Sequence, residues 1–128
     1  MSLKYVVRQT RDVTILDLNG RLSLGEALAF GAGSGLVLSE TIRDLAKKGQ
    51  KKILLNLAGV TYADSSGVGQ LVGAFTTARN QAADIKLLKP SFHVLDLLKT
   101  TKLYGVFDIQ EDENAAIQSF SRGGGATS

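Results

Sequence analysis

Two adjacent serines in the stretch Asp64-Ser65-Ser66-Gly67 are the side chains whose types and spacing best suit chemistry. A serine hydroxyl can act as a nucleophile when a histidine and an acid lie beside it. The stretch lies between an apolar run that predicts a strand and an apolar-periodic run that predicts a helix. Small α/β domains concentrate their chemistry on such loops at strand ends. We therefore interpret residues 64–67 as the functional turn.

The residues around these serines argue against catalysis. His93 is the single histidine of the chain, and it follows Phe92 on a predicted helix, where a plain surface histidine is the commoner outcome. The nucleophile elbow of serine hydrolases has the pattern Gly-x-Ser-x-Gly, which the residues around Ser65 do not match. We expect a protein that is not an enzyme, with a serine hydrolase as the remote alternative.

Composition argues against several other kinds of site. The absence of cysteine excludes disulfides and thiolate metal sites, and one histidine leaves few ligands for a transition metal. The glycine-rich residues 31–35 lack the Gly-Lys-Ser/Thr ending by which a Walker loop reaches nucleotide phosphates and magnesium. We therefore expect no metal and no cofactor.

The charge and hydropathy patterns argue against a nucleic acid or a membrane as a direct partner. The net charge is only +3, and the chain has no run of five or six like charges. Lysines 47, 48, 51 and 52 cluster where a predicted helix ends, a place that favours cations through the helix dipole. No apolar run approaches the ~20 residues that cross a bilayer, and residues 1–8 lack the layout of a signal peptide. These patterns predict a cytoplasmic protein.

The elements that must position the turn alternate regularly along the chain. Strands at about residues 4–9 and 13–19 precede a helix from Leu36, and three strand–helix pairs follow. The strand before the turn, residues 53–57, is nearly continuously apolar, as in strands covered by helices on both faces. This order predicts a single α/β domain with a mixed, mostly parallel sheet of four to five strands covered by about four helices.

Local signals predict where these elements begin and end. Asn19-Gly20 should end the second strand because both residues tolerate left-handed backbone. Asp64 should cap the turn by accepting N–H bonds, with orientation of the Ser65 hydroxyl as the alternative. Ser66 should cap the helix after the turn, and Ser91 should cap the next helix. Residues 122–128 are too poor in apolar side chains to pack and are predicted to form a flexible tail, which leaves residues 1–121 as the domain.

The helix after the turn has an outward face of unusually small residues. An apolar stripe that starts at Val68 supplies the core face, whereas Ser66, Gly69 and Gly73 fall toward the opposite side. Each interior glycine costs ~1 kcal/mol relative to alanine. Because the stripe already provides packing, we expect the small face to permit the close approach of a partner. Gly67 is expected to permit the close approach of another backbone.

These residues together resemble a known family. The motif Asp64-Ser65-Ser66-Gly67-Val68-Gly69, preceded by the strand sequence at 52–57 and followed by Leu87-Leu88, resembles the STAS domain of bacterial anti-sigma factor antagonists. The resemblance covers about residues 4–120 and includes Gly20-Arg21-Leu22 and residues 101–107.

The resemblance implies a function for the turn. In that family the first serine of the Asp-Ser-Ser-Gly motif, here Ser65, is phosphorylated by an anti-sigma factor that is also a serine kinase. The unphosphorylated protein binds this partner and frees the sigma factor; the phosphorylated protein releases it, and a serine phosphatase resets the cycle. We expect a monomer or a weak dimer. The predicted partner-binding residues are Asp64, Ser65, Ser66, Gly67, Gly69, Gly73 and Ser23.

The sequence departs from the family pattern at two places. Ala27 to Gly33 looks like a short loop insertion, and Ser23 stands where the family often has aspartate. Both places lie near where partners of the family dock. Two alternatives share the predicted fold: a STAS subunit of a stress-signalling assembly, or a STAS subunit of a lipid-transport complex.

Overall fold

A computed structural model describes residues 4–23 and 38–126 of the 128-residue chain, with side chains described as far as residue 120. The predicted insertion from Ala27 to Gly33 lies outside these residues. The strands are β1 (Lys4–Thr10), β2 (Val13–Leu22), β3 (Lys52–Ala63), β4 (Asp84–Leu88) and β5 (Ile109–Gln110). The helices are α1 (Leu38–Lys47), α2 (Ser65–Asn80), α3 (Phe92–Thr100) and α4 (Glu113–Ala126).

The five strands form one sheet in the order of the chain. β1 pairs with β2 antiparallel, and every later neighbour pairs parallel. α1, α2 and α3 each lie between two parallel neighbours and provide the crossover that such a connection requires. The structure confirms the predicted α/β fold with a mixed, mostly parallel sheet.

The sheet is covered on both faces, and β3 shows why its sequence is continuously apolar. Leu55 and Leu57 of β3 lie in the large core beneath α1, α2 and α3, whereas Leu54 lies in a smaller core with Phe120 of α4. Alternate side chains of a strand point to opposite faces. Because both faces are buried, both sets of positions must be apolar.

Two elements continue beyond their predicted ends. β2 does not end at Asn19-Gly20: it runs to Leu22 with Gly20 at φ 109° and shifts of register against β3 on either side. The prediction was wrong because the left-handed glycine serves an irregularity inside the strand rather than a turn after it. α4 continues to Ala126, so its backbone is helical where the tail is predicted to start at residue 122. A helix anchored by packing can elongate at little cost, since each added residue makes one more hydrogen bond.

Candidate functional site

The predicted functional turn is the start of α2, directly after the carboxyl end of β3. Asp64 is the N-cap of α2: its backbone is extended at φ −132° and ψ −175°, and its side chain accepts from the Gly67 N–H. The interpretation of Asp64 as a capping residue is confirmed. The assignment of Ser66 as the cap is wrong, because Asp64 occupies the N-cap position and accepts from the Gly67 N–H, whereas Ser66 falls inside the first turn.

The carboxylate of Asp64 is a hub that joins three parts of the fold. Oδ1 accepts from the Gly67 N–H at 2.9 Å and from the Ser66 hydroxyl at 2.6 Å. Oδ2 accepts from the Ser23 hydroxyl at 3.0 Å and from the Tyr62 hydroxyl at 3.3 Å. Ser23 directly follows β2, Tyr62 belongs to β3, and the other two donors belong to α2. A single side chain thus holds the ends of two strands against the start of the helix.

These hydrogen bonds also set the charge of the turn. Partial burial raises the pKa of Asp64, but the bonds from Ser66, the Gly67 N–H, Ser23 and Tyr62 together lower it further, and the net pKa lies below the ordinary value. Donated hydrogen bonds favour the ionised form of a carboxyl group. Asp64 therefore carries a full negative charge at neutral pH.

The two serines of the turn have opposite environments. The Ser66 hydroxyl is half-buried and donates to Asp64. Ser65, the first residue of α2, is exposed, and its hydroxyl makes no hydrogen bond within residues 4–23 and 38–120. The fold thus presents one of the adjacent hydroxyls to an incoming reagent and engages the other in its own structure.

The three glycines of this region also differ in their surroundings. A Cβ on Gly67 would lie only 1.8 Å from the Leu22 carbonyl oxygen, so the backbone that approaches Gly67 is that of β2. Gly69 is exposed and has nothing within 4 Å of an added Cβ. Gly73 faces α1, where an added Cβ would lie 3.8 Å from Ser39 Cβ. The open part of the small face predicted from the sequence is therefore centred on Gly69.

Histidine 93 anchors the turn from α3. Its Nε2 lies 2.8 Å from the carbonyl oxygen of Ala63, and because a carbonyl only accepts, Nε2 carries the proton. This nitrogen is therefore engaged with the backbone and does not act as a base toward Ser65. The neighbouring Phe92 is 84% exposed at the start of α3. Its ring is therefore open to contact by another molecule.

Sequence reasoning did not identify three further residues of the site. Phe92 is one, although an aromatic residue directly after a capping serine and outside the apolar periodicity was a usable signal. Arg21 is the second: its guanidinium lies 4.0 Å from the ring centroid of Tyr62, its cross-strand neighbour. Gln70 is the third, since it is buried on α2 and its Oε1 accepts from the Leu38 N–H at the start of α1. No sequence signal marks this last contact, which depends on how the two helices pack.

Within residues 4–23 and 38–126, no group of three or more His, Cys, Asp or Glu side chains is arranged to hold a metal ion. No helix in that part of the chain combines the length and the hydropathy that crossing a bilayer requires.

Comparison with known proteins gives consistent matches. A family model for the STAS domain matches residues 4–116. The chain is 32% identical over 85 residues to the anti-sigma-B factor antagonist of Bacillus subtilis (strain 168), covering 66% of this chain and 77% of that protein. Its fold is similar to that of the unphosphorylated anti-sigma factor antagonist SpoIIAA, with a TM-score of 0.67 and 23% identity over 94% of this chain and 97% of that one. An anti-sigma factor antagonist from Mycobacterium paratuberculosis gives a TM-score of 0.71 at 14% identity over 92% and 93% of the two chains.

Proposed function

The chain belongs to the STAS domain family, among the anti-sigma factor antagonists, and on this premise we propose that it controls transcription by switching partners. In the proposed cycle the unphosphorylated protein binds an anti-sigma factor that is also a serine kinase, and the sigma factor is freed. Phosphorylation of Ser65 by this partner ends the complex, and a serine phosphatase restores the binding form. We place the cycle in the cytoplasm and expect the chain to act by binding, as a monomer or weak dimer.

The observation that carries the proposal is the difference between the two serines of the turn. A kinase must bring the acceptor hydroxyl in line with the phosphoryl group that it transfers. The exposed and unbonded hydroxyl of Ser65 meets this requirement without rearrangement. Phosphorylation of Ser66 would instead break its 2.6 Å bond to Asp64 and disturb the cap of α2.

Electrostatics supplies the release step. A phosphate adds about −1.5 to −2 charges at neutral pH, and on Ser65 it would stand beside the ionised carboxylate of Asp64. Unfavourable charge juxtaposition at an interface costs several kcal/mol, which corresponds to roughly two or more decades in affinity. A partner that docks over the turn therefore loses most of its affinity once Ser65 is modified.

The proposed docking surface surrounds Ser65. Gly69, exposed and open, allows a partner to approach α2 closely, and Phe92 supplies an aromatic side chain of the type that dominates interface energetics. Asp64, Ser66, Gly67 and Ser23 act beneath this surface by fixing the shape of the turn. Gly73 lies beside α1, so its part in partner binding depends on a partner that contacts both helices.

Similarity to a phosphorylated protein supports the proposal. SpoIIAA of Bacillus has been solved in a phosphorylated form, to which this chain is similar with a TM-score of 0.64 and 23% identity over 91% of its length. A fold of this kind therefore accommodates a phosphate.

The direct test begins with affinity capture from the native cell, using the full chain as bait, and identification of the captured kinase. The purified kinase is then incubated with the chain and ATP, and intact-mass analysis should show one phosphate on wild type and none on Ser65→Ala. Calorimetry should find Ser65→Ala binding like the unmodified protein and Ser65→Asp binding at least tenfold more weakly, since one carboxylate mimics only part of the phosphate charge.

A matched control separates the position of the charge from its mere presence. Thr76 is exposed on the same helix, more than two turns from Ser65, so Thr76→Asp adds the same charge away from the turn. The control should bind like wild type. Equal affinities for Ser65→Ala and Ser65→Asp would refute the electrostatic switch, whereas co-purification with a megadalton particle or with a membrane transporter would favour the stress-signalling or lipid-transport alternative.

A further inference from the structure

The guanidinium of Arg21 stacks on the ring of Tyr62, two residues before the N-cap Asp64 of the proposed phosphorylation turn. It lies 4.0 Å from the centroid of the Tyr62 ring, and no salt bridge or hydrogen bond engages it within residues 4–23 and 38–126. A guanidinium group carries five N–H donors in a planar fork. Stacking on a ring leaves these donors available to an anion in the plane of the fork.

A short chain of contacts connects Arg21 to Ser65. Arg21 and Tyr62 are paired positions on the neighbouring strands β2 and β3. The hydroxyl of Tyr62 lies 3.3 Å from Oδ2 of Asp64, and Ser65 is the next residue. The guanidinium therefore sits at one side of the turn, on a flexible side chain that can swing away from the ring.

The start of α2 does not offer its capping site to a phosphate on Ser65. The Gly67 N–H, one of the donors that an anion at this helix end could use, already donates to Asp64 at 2.9 Å. A phosphate on Ser65 would therefore lie next to the negative carboxylate of the cap, and a nearby cation would stabilise its charge. Arginine binds phosphate through two parallel N–H···O bonds, a stronger contact than an exposed stack on an aromatic ring.

We propose that Arg21 is the phosphate-binding residue of the Ser65-phosphorylated protein, and that its guanidinium leaves the Tyr62 ring to bind the phosphoryl oxygens. The inference rests on the proposed function, because it assumes that Ser65 carries the phosphate. It adds a second change to the switch: besides gaining charge, the phosphorylated surface presents the Tyr62 ring without its cation. The partner then meets a surface altered in shape as well as in charge.

The test places phosphoserine at residue 65 by genetic encoding, so that no kinase is needed, and follows the phosphate by ³¹P NMR as the pH is varied. A bound guanidinium favours the dianion, so Arg21→Gln should raise the titration midpoint by roughly half a pH unit, the size expected for an exposed charge pair. Arg21→Lys, a point charge without the fork, should give a smaller rise. The Nε–H resonance of Arg21 should shift on phosphorylation in the otherwise unchanged protein.

Arg79→Gln is the matched control. Arg79 also stacks on an aromatic ring, 5.7 Å from Phe75, but at the far end of α2. Its loss should leave the midpoint unchanged. An unchanged midpoint in Arg21→Gln, or an equal rise in Arg79→Gln, would overturn the inference.

The outcome is separable from the fate of the proposed function. A native partner that releases the phosphorylated chain, together with no effect of Arg21→Gln on the phosphate, keeps the function and rejects the role of Arg21. A raised midpoint in Arg21→Gln, together with a partner indifferent to phosphorylation, keeps the role of Arg21 and rejects the switch.

Discussion

Alanine substitutions at Gly67 and Gly69 should change stability in opposite directions, although the two glycines are only two residues apart in one helix. A Cβ on Gly67 would lie 1.8 Å from the oxygen and 2.6 Å from the carbon of the Leu22 carbonyl group. These atoms belong to the backbone and cannot rotate away. Either α2 or the end of β2 must move, and the cap formed by Asp64 moves with them.

The magnitudes follow from these contacts. Overpacking of this kind costs ~1–3 kcal/mol and a lost helix cap about 1 kcal/mol more, so we expect Gly67→Ala to destabilise the fold by about 3 kcal/mol. Gly69 has open space around it, so Gly69→Ala should gain the helix preference of alanine, ~0.5–1 kcal/mol. For a 128-residue domain, 1 kcal/mol corresponds to a change in Tm of roughly 4 °C.

Thermal melts and urea titrations of both variants, each followed by circular dichroism, would measure these effects. Gly67→Ala should melt about 12 °C below wild type and Gly69→Ala about 2–4 °C above it. Gly69→Ala should also bind the anti-sigma factor more weakly despite its greater stability, because the methyl group occupies the open docking face. A wild-type Tm for Gly67→Ala, or a larger loss at Gly69 than at Gly67, would refute the packing argument.

Three further predictions concern other residues of the site. Asp64 has a pKa below its ordinary value, so its charge stabilises the fold at any pH above the ordinary pKa. This contribution is lost as the pH falls through the lower pKa of the folded state. Asp64→Asn should therefore cost stability in urea titrations at pH 7, and progressively less below about pH 4. Phe92→Ala should weaken partner binding at least tenfold by calorimetry, whereas Tyr104→Ala, at a 46% exposed aromatic elsewhere, should not. Gln70→Met should lower the free energy of unfolding by about 1 kcal/mol, because it removes the buried acceptor of the Leu38 N–H.

The sequence predicts the fold well because its signals are local and repeated. The continuous apolar run of β3 and the alternation of strands and helices indicate a mostly parallel sheet covered by helices, independently of the loop sequences. The end of β2 was missed at Gly20 because the same left-handed backbone serves a turn and a strand irregularity. Only the pairing with β3 distinguishes the two, and that pairing involves residues about 40 positions away.

The site was predicted less completely, since its geometry depends on contacts between elements. The sequence identified the turn, but the environments of Ser65 and Ser66 follow from Asp64 being the cap, two positions before the residue predicted for that role. Gly67 and Gly69 look alike in a helix pattern, and only the position of Leu22 separates them. The stack of Arg21 on Tyr62 likewise joins residues that are distant in the chain.

The hub at Asp64 has a consequence for how such regulators diverge. Asp64 and Gly67 are tied to strand ends, so substitutions there cost stability. Gly69 and Phe92 contribute nothing comparable to the core, so substitutions there change partner contact while leaving the fold intact. After gene duplication, two copies could therefore keep the same turn, with the proposed phosphorylation at Ser65, while acquiring different partners, and a cell could then run several of the proposed switches without cross-talk.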